Sequence, residues 1–345
     1  MWKYRRYLPV RDTRHILTLG EGSTPLVKLN GGPFLKMEQL NPSGSYKDRF
    51  ASSAVSWMRQ QGLRSCLATS SGNTGSALAA YCARAGIPCH IFLVETTPAG
   101  KAVQMLAYGA VLKRVRGFGL DPAASRDVME RLQREAPARS AALQISAFTF
   151  SPEGMDGVKT IGYEIADDLD EVDDVFVPIG GGGLLTAIAR GFDDYFRDGR
   201  ISRAPRIHAV QPRGCATVTG PLDRGETQAV EVECTSVISG LQVPNVIDAQ
   251  LALDVVLETG GSGQSVSDQE VFRAQETLFS RGVYCEPAGA TAYAGYLKAR
   301  SEGSVSASSR TVCIVTGHGF KDLGSVERAV SSRSIPMVEL DRLLD

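Results

Sequence analysis

Lys47 follows a run of turn-forming residues in N-P-S-G-S-Y-K-D-R (Asn41–Arg49). Ser45 is the expected helix N-cap, which puts Lys47 in the first helical turn. The N-terminus of a helix carries positive partial charge, so a lysine there is electrostatically out of place. The same field lowers the pKa of its amine and frees it for nucleophilic work. Taken alone, such a lysine is most often a solvated surface residue.

Three further segments carry chemistry. S-S-G-N-T-G (Ser70–Gly75) falls between a strand and a helix rich in small residues. Backbone N–H groups and hydroxyls at such a helix start suit a carboxylate or a phosphate, though an ordinary capped turn reads alike. G-G-G-G (Gly180, Gly181, Gly182, Gly183) follows the strand V-F-V-P-I and precedes another helix. Four residues without side chains let the backbone close on an anion, so a phosphate nest is expected, with a flexible loop as the alternative. The run matches neither the dinucleotide fingerprint nor the nucleoside-triphosphate loop, which argues against a kinase or dehydrogenase. T-G-H-G-F-K-D (Thr316–Asp322) ends the last core strand, where ligand-facing residues collect. The Thr316 hydroxyl can bond a ring nitrogen. A helix-start lysine, a phosphate nest and a strand-end hydroxyl together meet the needs of pyridoxal 5'-phosphate.

These groups need a scaffold that brings them together. Short apolar runs alternate with helical patterns: strands at Leu67–Thr69, Pro88–Val94, Val111–Val115, Asp174–Ile179, Arg206–Gln211 and Thr311–Thr316. Helices are expected at Lys101–Gly109, at Asp121–Ala136 up to Pro137, and at Val266–Gly282, with a polar loop at Ala299–Ser309. The rhythm predicts an α/β protein of two open twisted sheets flanked by helices, with a ligand cleft between them. The chain has 345 residues, 43% hydrophobic and 22% charged, enough for two domains with sizeable cores. A net charge of -1 points to neither a nucleic-acid nor a membrane partner. Seven irregularly spaced cysteines and four histidines give no metal-type spacing, so reduced thiols and no metal are expected. With no signal peptide or apolar span in evidence, the expected location is cytoplasmic.

The chain resembles the fold type II pyridoxal-phosphate enzymes, and within them the threonine synthase family, over most of its length. G-E-G-S-T-P-L (Gly20–Leu26) is similar to the family's N-terminal signature, and L-K-M-E-Q-L-N-P-S-G-S-Y-K-D-R to its Schiff-base segment. The resemblance implies Lys47 as cofactor anchor and proton carrier, and Asn73 at the 3′-oxygen of the cofactor. It implies Gly180 to Gly183 around the phosphate and Thr316 at the pyridine nitrogen. Ser70, Ser71, Gly72 and Thr74 would hold the substrate carboxylate. E-P-A-G-A (Glu286–Ala290) also recurs in the superfamily. The implied domains are a large cofactor-binding one (1–45 and 147–345) and a small mobile one (46–146), in a homodimer.

The implied reaction is elimination from an O-activated or hydroxy amino acid, followed by addition of water or another nucleophile. A hydroxyl, unlike an aspartate, does not hold the ring nitrogen protonated, which suits elimination from the β position. Threonine synthases often carry N-P-Y-R-L-E-G-Q-K-T, whose Asn and Arg hold the substrate phosphate. Here the stretch is S-P-E-G-M-D-G-V-K-T, with Ser151 and Gly154 at those positions. The glycine run also looks more like that of serine/threonine dehydratases. A serine/threonine ammonia-lyase and a β-replacement enzyme of the cysteine synthase type are therefore alternatives. A catalytically silent binding subunit is disfavoured by the intact lysine, asparagine, threonine and glycine run.

Overall fold

The computed structural model describes residues 1–337 except Ser71, Thr96, Pro98 and Leu120. Two sheets organise the chain. The four-stranded sheet has the order β5-β4-β3-β6, all parallel, from β3 (Ser65–Thr69), β4 (Cys89–Leu93), β5 (Val111–Arg114) and β6 (Ala141–Gln144). The six-stranded sheet has the order β1-β2-β10-β7-β8-β9. Its strands are β1 (Leu26–Lys28), β2 (Phe34–Lys36), β7 (Asp174–Pro178), β8 (Arg206–Pro212), β9 (Gly263–Val266) and β10 (Thr311–Ile314). Only β1 and β2 pair antiparallel. Every residue of β7 is buried, as a parallel strand covered on both faces should be.

Helices α1 (Lys47–Gln60), α2 (Asn73–Ala85), α3 (Ala99–Ala107) and α4 (Pro122–Ala138) accompany the smaller sheet. Along the rest of the chain come α5 (Pro152–Val158), α6 (Thr160–Asp168), α7 (Gly183–Arg197), α8 (Thr219–Asp223), α9 (Ala249–Glu258), α10 (Asp268–Ser280), α11 (Pro287–Ser301) and α12 (Leu323–Val330). Helix α1 packs Phe50, Ala51, Ala54, Val55 and Met58 into the core as an apolar stripe, and Asp48, Arg49, Ser52, Ser53 and Ser56 on its other faces are buried too. It meets α5 with little space between the backbones. A Cβ at Gly154 would lie 2.5 Å from the Phe50 ring, and one at Gly157 would collide with the Arg49 carbonyl.

Several expectations need correction. Ser45 does not cap α1: Tyr46 occupies that position with no side-chain cap, and the Ser45 backbone instead bridges to Gly317. Pro137 does not stop α4 but lies in its last turn, where few helical bonds remain to be lost. Helix α11 runs on to Ser301 through Ala299, which is fully buried, so the polar loop begins later than its composition suggests. Strand β9 takes Val266, so the helix expected from Val266 begins at Asp268.

All seven cysteines are free thiols. Cys66, Cys82 and Cys89, which have no metal-type spacing in the sequence, converge in the core of the smaller sheet with sulfurs within 4.8 Å of one another. Among the described residues no helix is long and apolar enough to cross a membrane.

Candidate active site

The sheets frame a cavity of about 780 Å³. Lys47 is the first residue of α1, and its side chain faces this cavity. Its Nζ donates to Ser146 Oγ at 2.7 Å and lies 4.4 Å from the centre of the Tyr46 ring. Burial pushes the amine down to about 7, against the opposing pull of Asp248 and Glu286. No carboxylate makes a salt bridge with it among the described residues, so near neutral pH much of it is an unprotonated nucleophile.

Lys47 is positioned by pairing between segments distant in sequence. The Tyr46 N–H donates to the Thr316 carbonyl at 3.0 Å, and the His318 N–H to the Gly44 carbonyl at 2.9 Å. This ladder sets Thr316, buried just past the end of β10, on the cavity wall with Lys47. Behind the wall, Arg49 donates through Nε and Nη2 to both carboxylate oxygens of Glu38 at 2.7 and 2.6 Å. It donates through Nη1 and Nη2 to both oxygens of Glu164 at 2.8 and 2.7 Å. Lys36 adds a contact of 2.9 Å to Glu164. Arg49, Lys36, Glu38 and Glu164 are all buried, and they fasten the start of α1 to β2 and α6.

Gly180, Gly181, Gly182 and Gly183 line the cavity at the start of α7. Gly182 has φ +101°, a left-handed conformation that favours glycine, and a Cβ there would run into the Asp248 backbone. Asp248 secures the loop. Its N–H donates to the Gly181 carbonyl at 2.9 Å, and its carboxylate accepts from the Phe148 N–H at 2.6 Å and the Thr149 hydroxyl at 2.9 Å. Thus one aspartate ties the glycine loop to the segment that follows Ser146.

Asn73 opens α2, and its amide donates to Glu286 Oε1 at 2.7 Å. Ser70, Gly72 and Thr74 line the cavity too. The Ser70 oxygen accepts from the N–H groups of Gly75 at 2.9 Å and Gly72 at 3.3 Å, so it shapes the start of α2. Ser71 lies outside the described residues. Ser151 and Gly154 do not line the cavity: the Ser151 oxygen accepts the Ile145 N–H at 3.1 Å, and Gly154 packs on Phe50.

Motif reading misses Ser146, Asp248 and Gln104, which sit in no recognisable pattern. Glu286 and Lys321 do fall in quoted segments, E-P-A-G-A and T-G-H-G-F-K-D, where nothing marks them as cavity residues.

The residues present fit pyridoxal phosphate. A desolvated lysine amine stands at one side of the cavity, a side-chain-free backbone cradle opens a helix at another, and a hydroxyl residue ends a strand between them.

The chain belongs to the pyridoxal-phosphate-dependent enzyme family, whose profile, "Pyridoxal-phosphate dependent enzyme", matches residues 17–317. It is a pyridoxal-phosphate-dependent lyase of the threonine synthase kind by descent, and its relatives bear that out. Threonine synthase of Methanocaldococcus jannaschii is 34% identical, covering 95% of this chain and 82% of the relative. That of Mycobacterium bovis is also 34% identical, covering 92% and 87%. Among solved structures, maize serine racemase superposes with a TM-score of 0.73 at 24% identity, covering 90% of this chain and 92% of that one. The processed form of threonine deaminase isoform 2 from Solanum lycopersicum gives 0.75 at 21% identity, covering 97% and 93%. At those identities the structural likeness establishes the shared fold of two sheets flanked by helices.

Proposed function

We propose that the protein converts an O-phosphorylated amino acid, with Lys47 as both cofactor anchor and proton carrier. The Lys47 amine, drawn down to about 7 on a cavity wall it shares with a glycine cradle, carries the cofactor part of this reading, and the likeness to threonine synthases supports the substrate part. The bound cofactor supplies an electron sink for the α-carbon of the substrate. The chain's own groups do the rest. Gly180 to Gly183 and the start of α7 offer N–H groups to the cofactor phosphate, with Asp248 fixing the loop. Thr316 would offer a hydroxyl to the ring nitrogen, and Asn73, aimed by Glu286, would offer its amide to the 3′-oxygen. Ser70, Ser71, Gly72 and Thr74 form the carboxylate site at the start of α2. Lys47 takes the α-proton when released from its anchoring role, and Ser146 steers its Nζ.

The division into a large unit (1–45 and 147–345) and a small mobile one (46–146) is supported by the two sheets, which fall on either side of those bounds. Closure of one toward the other would exclude water from the cavity. A homodimer, drawn from the family resemblance, and a cytoplasmic location, drawn from the sequence, are the accompanying readings.

A second reading, deamination of a hydroxy amino acid or β-replacement, is favoured by one observation. With Gly154 packed on Phe50, no arginine among the described residues reaches the cavity from the α5 side. Purified enzyme given O-phosphohomoserine, threonine, serine and O-activated serines, with phosphate and 2-oxo acid both measured, separates the readings. Phosphate release with threonine formation is expected. Oxo-acid formation from threonine, without turnover of O-phosphohomoserine, would replace this proposal with the second reading.

A further inference from the structure

A second lysine faces the cavity. Lys321 ends the short 3-10 turn Gly319–Lys321, five residues beyond Thr316. Its Nζ donates to Gln104 Oε1 at 2.6 Å, its one side-chain hydrogen bond among the described residues. Gln104 comes from α3, and its Nε2 donates to the Ser43 carbonyl at 3.0 Å. So a cation from the C-terminal segment is held at the cavity by a neutral amide. Burial pulls the amine down to about 8, with Glu286 and Asp48 pulling the other way, so it is mostly charged at pH 7. A partly desolvated cation whose partner is a neutral oxygen gains more from an arriving anion than a solvated lysine does.

Among the described residues that line the cavity, the cationic side chains are Lys47 and Lys321; there is no arginine or histidine. Lys47 is committed to the cofactor. Among the described residues, a substrate carrying a second anionic group beyond its carboxylate therefore has a single cationic side chain to meet it. The position where the resembled family places an arginine is closed here by the Gly154–Phe50 packing.

We propose that Lys321, presented by Gln104, is the subsite for the distal phosphate of the substrate, supplying from the C-terminal turn the charge that Gly154 lacks. The inference rests on the O-phosphorylated-substrate reading above. On binding, the Nζ exchanges a neutral acceptor for a dianion, and Gln104 remains beside it as a second polar group.

The test uses the holoenzyme and its K321M, K321R and Q104E variants, with the cofactor's visible band recorded for each. Kinetics are measured with O-phosphohomoserine and with L-threonine, and inorganic phosphate is titrated as a competing probe. K321M is expected to raise the KM for O-phosphohomoserine about 10- to 100-fold more than that for L-threonine, the range for losing one hydrogen bond to a charged group. K321R should recover much of the difference, because it keeps the charge. Q104E should weaken phosphate competition, because the lysine then pairs with a fixed carboxylate. Equal losses on both substrates, or phosphate competition unchanged in K321M and Q104E, would overturn the subsite. If the wild type turns over no O-phosphorylated amino acid, the substrate reading fails by itself. The subsite then stands or falls on whether phosphate competition depends on Lys321.

Discussion

Two cations leave the first turn of α1 two residues apart and meet opposite fates. Lys47 points into the cavity, finds one hydroxyl, and is drawn down to about 7. Arg49 points behind the wall, grips both oxygens of Glu38 and both of Glu164, and is held well above its ordinary range. Burial alone does not decide the chemistry of a cation. Carboxylates within hydrogen-bonding reach make Arg49 a fixed charge, and their absence makes Lys47 a reactive amine. The pairing is also mechanical, since the ionic bolt at Arg49 holds still the turn from which Lys47 reaches out.

The largest effect should come from Lys47→Ala. Loss of the anchor and the proton carrier together should cut turnover by more than a thousandfold, since general acid–base catalysis alone contributes about 10²–10⁴-fold. The variant should also lack the visible band of the anchored cofactor. On the other side of the comparison, Arg49→Met strands the buried Glu38 carboxylate and leaves Glu164 with Lys36 as its cationic partner. It should lower unfolding stability by about 3–5 kcal/mol, read from denaturant midpoints. If the loss were under about 1 kcal/mol, as for an exposed ion pair, the bolt would be ornamental.

Gly182→Ala should be milder. A side chain at φ +101° costs about 1–3 kcal/mol and disturbs the cradle, so cofactor affinity should fall roughly tenfold or more by equilibrium dialysis.

The depressed Lys47 amine has a pH signature. Burial disfavours its charged form, so the free amine is present above about pH 7 rather than only above 10.5. Capture of pyridoxal phosphate by apoenzyme should therefore speed up through pH 7 and then level off. A rate still climbing at pH 9 would mean an ordinary lysine. The smallest change is Ser146→Ala, which removes one hydrogen bond worth about 0.5–1.5 kcal/mol and should slow turnover by two- to tenfold.

Much of the scaffold could be read from the chain because its signals are local. The apolar runs at β3, β4, β5, β7, β8 and β10 were legible, as was the helix after the glycine run. The β1–β2 pair, β6 and β9 were not: these strands are three or four residues long, and β9 ends just before α10 begins. The placement of Lys47 in the first turn was legible, but the reason was not. Ser45 is a good cap by type, yet its backbone is taken by Gly317, more than 270 residues away. The same long-range pairing brings Thr316 and Lys321 to the cavity, and no spacing rule reaches that far. Nor does spacing reveal that Cys66 and Cys89 are direct partners across adjacent strands.

The central claim is that Lys47 holds the cofactor, and covalent trapping tests it most directly. Holoenzyme is reduced with borohydride, digested, and searched by mass spectrometry for the pyridoxyl group. The account predicts that the group is found on the peptide containing Lys47. Its recovery on Lys321 or any other lysine, or its absence from every lysine in enzyme that is active before reduction, would contradict the account.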